Sequence, residues 1–315
     1  MEAQKIILDC DPGCDDAVAM LLAWGSPVLE LVAVTTVAGN QSIDKVTRNA
    51  LAVAELGGMK DLIVAKGCAR PLVRQSAGNS AFIHGESGLG GQILPEPRHS
   101  LDQRSGAQVI IDTIMHHPPK TITLVPTGPL TNIALAVRMQ PEIVQRVKQV
   151  VLMGGGAHGG NQTAVAEFNI LSDPEAAYVV FNEPWPLVML GLDVTLKALA
   201  TSEVTARLAK VGTRPAKFVC GIIDFYGQSY KRERGLAAPP LHDPCAVACV
   251  IEPSIFTLRS VPVDIELDGS LTRGMTVCDF RTPSPANCHT RVALDLDRAR
   301  FWDLVVDALE RIGEV

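Results

Sequence analysis

The sequence predicts an α/β protein built on an open, mostly parallel sheet. Apolar runs of Val, Ile and Leu recur at short intervals and are too continuous for strands with one wet face, as expected when helices cover both sides. Segments of helical spacing or composition lie between them, and that alternation implies βαβ units. The chain has 315 residues, 47% hydrophobic and only 20% charged, enough to bury a large core in one big domain or two ordinary ones.

Taken in order, the strand candidates are KIILDCD, ELVAVTTVAG, DLIVAKG, TITLVPTG, VKQVVLMGGG and WPLVMLGLD. The helical segments are DDAVAMLLAW, IDKVTRNALAVAELGG, GAQVIIDTIMHH, GPLTNIALAVRM and SDPEAAYVVFN. Two long segments break the rhythm: 67–100, rich in Gly, Pro and Ser, and 225–244, FYGQSYKRERGLAAPPLHDP. Long irregular segments in a compact domain serve as lids or binding loops, and both are expected to be irregular here. After residue 255, VPVDIELDG, GMTVCDF and HTRVALDLD read as peripheral strands, and DRARFWDLVVDALERIG as a closing helix. No internal repeat and no linker divides the chain, so one domain over 1–315 is expected. Its layering is Rossmann-like, with helices on both faces of the sheet and extra peripheral strands near the C-terminus.

The net charge of −6 comes from interspersed charges with no basic block, which argues against a nucleic-acid or membrane surface and for small-molecule partners. MEAQKIILDC lacks the apolar region and cleavage site of a secretory signal, and no apolar run approaches the roughly 18 residues that span a bilayer. A cytoplasmic location is expected. The eight cysteines, at 10, 14, 68, 220, 245, 249, 278 and 288, form no C-x-x-C pair and read as reduced thiols.

The first strand runs into DCDPGCDDA, which places Asp9, Asp11, Asp15 and Asp16 within eight residues. Carboxylates so close repel one another unless a positive charge sits among them. Either Asp15 or Asp16 alone could cap the following helix, but four aspartates exceed one cap. An EF-hand fails, because position twelve counted from Asp9 is Met20 where a bidentate Glu is required. GGGAHG (154–159) matches a dinucleotide-binding fingerprint, yet NQTAVAEFN opens a helix poorly and no acidic residue follows at the required distance, so it reads as a tight turn. In LHDPCAVACV, Asp243 is placed to cap a helix with Pro244 at its first position, with His242 beside it. Tyr226 and Tyr230, four apart, would share one helix face.

In an open parallel sheet, ligands bind beyond the carboxyl ends of the strands. Asp9 and Asp11, Asn40 in TTVAGN, VPTG and MGGG all fall at such ends and converge on one crevice. Hard carboxylates without clustered His or Cys suit Ca²⁺ or Mg²⁺ and exclude a zinc site. A further aspartate can act as general base, a single His on the opposite wall as general acid, and Asn40, Asn161 and the EFN triplet (Glu167, Phe168, Asn169) can bind sugar hydroxyls. The residues alone therefore point to a metal-dependent hydrolase of a small polyhydroxylated substrate.

DCDPGCDDA, AGN (38–40), HGESG (84–88), VPTGPLTNIA, LMGGG, AEFNILSDPEAA and HDPCAV, in that order and over nearly the whole chain, resemble the nucleoside hydrolases. The block VPVDIELDGSLTRGMTVCDFR is similar to their inosine-uridine-preferring branch. The resemblance implies Ca²⁺ held by Asp11, Asp16, Asp243 and the main-chain carbonyl of Thr127, with Asp9 behind them. It makes Asp15 the base, gives Asn40, Asn161, Glu167 and Asn169 to the ribose, and makes His242 the residue that protonates the leaving base. His84, Met153, Phe168, Tyr226, Tyr230 and Arg234 complete the implied substrate-binding set. Ribonucleosides such as inosine and uridine become the expected substrates, in a homo-oligomer, tetramer or dimer.

Ser87 and Gly90 stand where the family more often has Thr and Asp. Trp24, Trp185 and Trp302 fall outside the base pocket, which argues against a purine-specific enzyme that stacks the base between tryptophans. Arg234 stands on the base-facing loop where pyrimidine-specific members often carry Tyr, so use of both base classes is expected over pyrimidine specificity. A haloacid-dehalogenase-like phosphatase also begins D-x-D after a strand, but needs Thr or Val where this chain has Gly13. A silent calcium and ribose-binding protein would lack the base or the acid, and Asp15 and His242 are both present.

Overall fold

The computed structural model describes residues 3–75, 78–94, 96–281 and 283–313. The six expected strands form as β1 (Gln4–Cys10), β2 (Leu29–Thr36), β3 (Ile63–Lys66), β4 (Ile122–Pro126), β5 (Gln149–Met153) and β6 (Leu187–Leu190). They are followed by β7 (Phe256–Ser260), β8 (Val263–Ile265), β9 (Thr276–Cys278) and β10 (Thr290–Leu296). The main sheet has the order β3-β2-β1-β4-β5-β6-β10-β7, parallel throughout except for β7 at its edge.

Strand alternation divides the core into two layers. Ile6 and Leu8 of β1 enter one apolar cluster with helices Cys14–Gly25, Ile43–Leu56, Pro244–Ile251 and Arg298–Gly313, whereas Ile7 enters the other with Gly106–His116, Thr131–Met139 and Pro174–Asn182. Both faces of the sheet are thus dry, which is why its strands read as unbroken apolar runs. All eight cysteines are free thiols. Among the described residues no helix is long and apolar enough to cross a membrane.

Two expectations change. Residues 225–234 are not irregular: they complete the helix Arg214–Arg234, whose last turn carries Lys231, Arg232 and Arg234 and which stops at Gly235 with φ +68°. Basic side chains suit the negative end of a helix, and a left-handed glycine is a common stop. Composition alone made that turn look like loop. HTRVALDLD is also more central than expected, since β10 pairs parallel to β6 within the main sheet, and among the described residues only β8 and β9 form a separate ribbon. The segment 67–100 is largely irregular as expected, with one short helix, Ala81–His84; its residues 76, 77 and 95 lie outside the described residues.

Candidate active site

The chain leaves β1 toward β2 and β3 on one side of the sheet, and takes β4, β5 and β6 on the other. Loops at the carboxyl ends of β1 and its neighbours must therefore part there, which opens a crevice at the switch point. The aspartate cluster sits in it. Asp9, Asp11 and Asp16 are fully buried, and Asp15 and Asp243 nearly so.

Each carboxylate has a defined anchor. Asp9 Oδ1 accepts from Thr35 Oγ1 (2.5 Å) and Asn132 Nδ2 (2.8 Å). Asp11 Oδ2 accepts from Asn40 N (2.5 Å), and Gly39 leaves the space, since a Cβ there would overlap that oxygen. Asp16 accepts from Asp11 N, Gly13 N, Asn40 Nδ2 and Thr127 Oγ1 at 3.0–3.2 Å. Asp15 Oδ2 accepts from His242 N (3.2 Å). Asp243 does occupy the N-cap position of Pro244–Ile251, but its side chain makes no capping bond. That carboxylate instead meets the Asp16 side chain, with which it shares a hydrogen bond.

Among the described residues the basic group that meets the cluster is His84, whose Nδ1 stands 4.0 Å from Asp15 Oδ1. Burial, followed by neighbouring carboxylates, pushes Asp11, Asp16 and Asp243 above the usual carboxylate range, and burial alone pushes Asp9 up to about 7. Carboxylate oxygens of Asp15, Asp16 and Asp243 lie within 4.8 Å of one another, and Asp11 Oδ1 and Asp9 Oδ2 are buried without a hydrogen-bond partner. Orphaned buried oxygens among mutually repelling carboxylates fit a hard divalent cation. Asp15, Asp16 and Asp243 are the three whose oxygens group closely enough to share an ion, whereas Asp11, expected among the ligands, contributes an orphaned oxygen and is not part of that close group. The Thr127 carbonyl, which already accepts from Asn169 Nδ2 (2.8 Å), has a second lone pair to offer.

Beside this cluster opens a cavity of about 270 Å³. Every site residue inferred from the sequence lines it except Asp11 and Asp16, which lie behind its wall, bonded to Asn40 and Thr127. Asn40 and Asn169 use their amide N–H groups on Asp11 O, Asp16, Thr127 O and Met153 O, leaving side-chain oxygens as acceptors. Asn161 does the reverse: its Oδ1 accepts from Phe168 N (2.9 Å), leaving its amide as donor. Glu167 caps the helix Phe168–Ser172, taking the N–H groups of Gly155, Asn169 and Ile170, and burial raises it to about 7.

His242, next in sequence to Asp243, also lines the cavity. Its Nδ1 meets Thr195 Oγ1 and its Nε2 meets Tyr230 Oη, each at 2.7 Å, and burial pushes the imidazole down to about 4 against the opposing pull of Asp15. His84 Nδ1 accepts from Cys14 N (3.0 Å), so its proton sits on Nε2, and burial likewise lowers it to about 4. Tyr226 packs edge-on against Tyr230 with ring centroids 4.9 Å apart, on one helix face as expected, and Arg234, which ends that helix and does not lie on a loop, donates to Asn161 O (2.5 Å). No tryptophan lines the cavity: Trp24 is on the first helix, and Trp185 and Trp302 donate their indole N–H groups to Val180 O and Leu199 O.

Sequence reasoning missed Asn132 and Thr35 behind Asp9, Thr195 behind His242, and the apolar wall of Phe82, Ile83, Leu192, Leu196 and Leu236. A lone Thr or Asn within an apolar run carries no local pattern. The one available signal was the polar pair in GPLTNIA, which opens the helix Thr131–Met139 at the carboxyl end of β4.

A crevice at the switch point of a parallel sheet, lined by carboxylates, amides and an imidazole, has the groups that a hydrolase of a polyhydroxylated small molecule needs. The family model for inosine-uridine preferring nucleoside hydrolase matches residues 6–303, and the chain belongs to that family. It is 58% identical to the inosine-uridine preferring nucleoside hydrolase of Crithidia fasciculata and 59% identical to that of Leishmania major, in each case over 99% of both chains. A pyrimidine-specific ribonucleoside hydrolase of Shewanella woodyi is 43% identical over 98% of both chains. Among solved structures, the purine-preferring ribonucleoside hydrolase from Gardnerella vaginalis superposes with a TM-score of 0.92 at 35% identity, covering 99% of each chain. The protein is a nucleoside hydrolase, and nucleoside substrates fit that family.

Proposed function

We propose that the protein cleaves the N-glycosidic bond of both purine and pyrimidine ribonucleosides, giving free base and ribose, with Ca²⁺ held by Asp11, Asp16, Asp243 and the Thr127 carbonyl. The observation that carries this reading is the buried, uncompensated carboxylate set, with an unpartnered Asp11 oxygen, beside a cavity that His242 also lines. Bound there, the ion supplies positive charge for a sugar diol and Lewis acidity toward water.

The chain's own residues perform the rest. Asp15, anchored by His242 N, takes the proton of the attacking water. The water oxygen bonds to the anomeric carbon as the C–N bond breaks, and its electron pair leaves with the base. Asn40 and Asn169 accept from sugar hydroxyls and Asn161 donates, holding the ring for in-line attack. His242, between Tyr230 and Thr195, delivers a proton to the departing base, whose growing negative charge raises the affinity of the imidazole for that proton. Greater identity to the inosine-uridine preferring relatives than to the pyrimidine-specific one, together with a cavity free of tryptophan, supports use of both base classes. The same reading carries a homo-oligomer in the cytoplasm, serving nucleoside breakdown and salvage.

The test is to incubate the protein with inosine, uridine and a phosphate monoester, and to assay ribose and phosphate. Ribose from both nucleosides and no phosphate is expected, and Asp15→Asn should slow release by about 10²–10⁴, the usual worth of a general base. Phosphate release, or full activity in Asp15→Asn, would overturn the proposal.

A further inference from the structure

The helix Arg214–Arg234 presents two neighbouring stripes. Tyr226, Tyr230 and Arg234, four apart, line the cavity. Gly221, Phe225 and Arg232 instead meet the segment 82–92. Arg232 Nη2 donates to Phe82 O (3.1 Å), and a Cβ at Gly221 would stand 2.6 Å from Gln92 Nε2. Cβ atoms at Gly85 and Gly90 would stand 3.0 and 2.9 Å from the Phe225 ring, so the loop backbone lies directly against it. Both glycines have positive φ, +78° and +57°, which bars larger residues independently.

That loop is a fixed body. Gly90 N closes it onto His84 O (2.9 Å), and Asn49 Nδ2 ties Ser87 O to Pro12 O, 2.9 Å from each. Gln41 Nε2 donates to Gly85 O (3.0 Å), and Cys14 N to His84 Nδ1. Contacts therefore run without a break from the loop bearing the aspartates, through residues 84–90, to Phe225. Beside the Phe225 contact, the C-terminal half of the helix is tied by Tyr230 Oη to His242 Nε2 (2.7 Å), by Arg234 to Asn161 O (2.5 Å) and by Arg232 to Phe82 O (3.1 Å), and Lys231 to Arg234 are exposed.

We propose that Phe225 is a positioning residue: seated against Gly85 and Gly90, it fixes the cavity wall of Tyr226, Tyr230 and Arg234 relative to the floor that carries Asp15. It touches no substrate itself. Without the ring, the helix half samples positions in which the wall stands off. The apparent affinity for nucleoside is then divided by the fraction of molecules still competent to bind, whereas chemistry inside a closed complex is unchanged.

The experiment compares Phe225→Ala, Phe225→Leu and Phe301→Leu, the last removing volume from a fully buried core position in the Arg298–Gly313 helix. In Phe225→Ala, KM for inosine should rise about tenfold with kcat changed less than about threefold. Amide hydrogen exchange should speed up in 226–236 and hold steady in 84–91. Phe225→Leu should recover most of the KM, and Phe301→Leu should lower the melting temperature without moving KM or exchange in 226–236. An unchanged KM, a loss of kcat alone, or an equal effect of Phe301→Leu would overturn the role, as would unchanged exchange in Phe225→Ala. The kinetic arm rests on the proposed nucleoside chemistry and the exchange arm does not. Faster exchange in a protein that fails to hydrolyse inosine would uphold Phe225 and fault only that chemistry.

Discussion

Replacing Asn132 with alanine tests how the aspartate loop is held. The Asn132 side chain donates to Asp9 Oδ1 (2.8 Å) and Thr36 O (2.9 Å) and accepts from Cys68 N (2.8 Å), and it is fully buried. It joins the carboxyl ends of β1 and β2 to the start of the 67–100 segment. A hydrogen bond to a carboxylate contributes about 1.5–3 kcal/mol and a neutral one about 1, so losing all three costs about 3.5–5 kcal/mol. Asp9 would keep only Thr35 as a side-chain donor. Because Thr127 N donates to Asp9 O (2.8 Å), the strand end that carries the Thr127 carbonyl should loosen too, and activity should fall along with stability. Urea unfolding of the wild type and Asn132→Ala, both in excess chelator so that bound ion does not mask the difference, measures the cost. A loss below about 1 kcal/mol would refute the reasoning, since it would mean that the three bonds are replaced or were never formed.

Two further outcomes probe the chemistry. His242→Ala should slow inosine hydrolysis by about 10²–10⁴ but affect an activated aryl riboside far less, because that leaving group needs no proton; equal losses would remove His242 from the acid role. For 2′-deoxyuridine, kcat/KM should fall about 10⁴–10⁵ below that for uridine, because a site built to bind a hydroxyl rejects the analogue that lacks it. The easier cation of deoxyribose opposes this, and a ratio within about tenfold would mean that Asn40 and the carboxylates do not hold the sugar diol.

The first six strands were legible because burial on both faces leaves a continuous apolar run, which no surface strand shows. The aspartate cluster was legible for the opposite reason: four carboxylates in eight residues repel one another unless a counter-charge or protonation relieves them. The helical nature of 225–234 was hidden by polar composition, since KRER is as typical of a loop as of a helix end. The inner place of β10 was hidden because one short alternating strand carries no mark of its neighbours. Thr195 and Asn132 depend on contacts with residues 47 and 123 positions away, which no local pattern encodes. Leu192, Leu196 and Leu236 look like core residues until the cavity beside them is seen.

The central claim is that the buried carboxylates at the end of β1 and at Asp243 hold calcium, and that hydrolysis depends on it. The most direct measurement is ribose release from inosine before chelation, after exhaustive removal of divalent ions, and after Ca²⁺ is restored, with bound metal quantified at each stage. One tightly held calcium per chain, activity lost with the ion and regained with it, and neither binding nor activity in Asp11→Ala is the result expected. Zinc in its place, or full activity in a preparation free of divalent ions, would contradict the account.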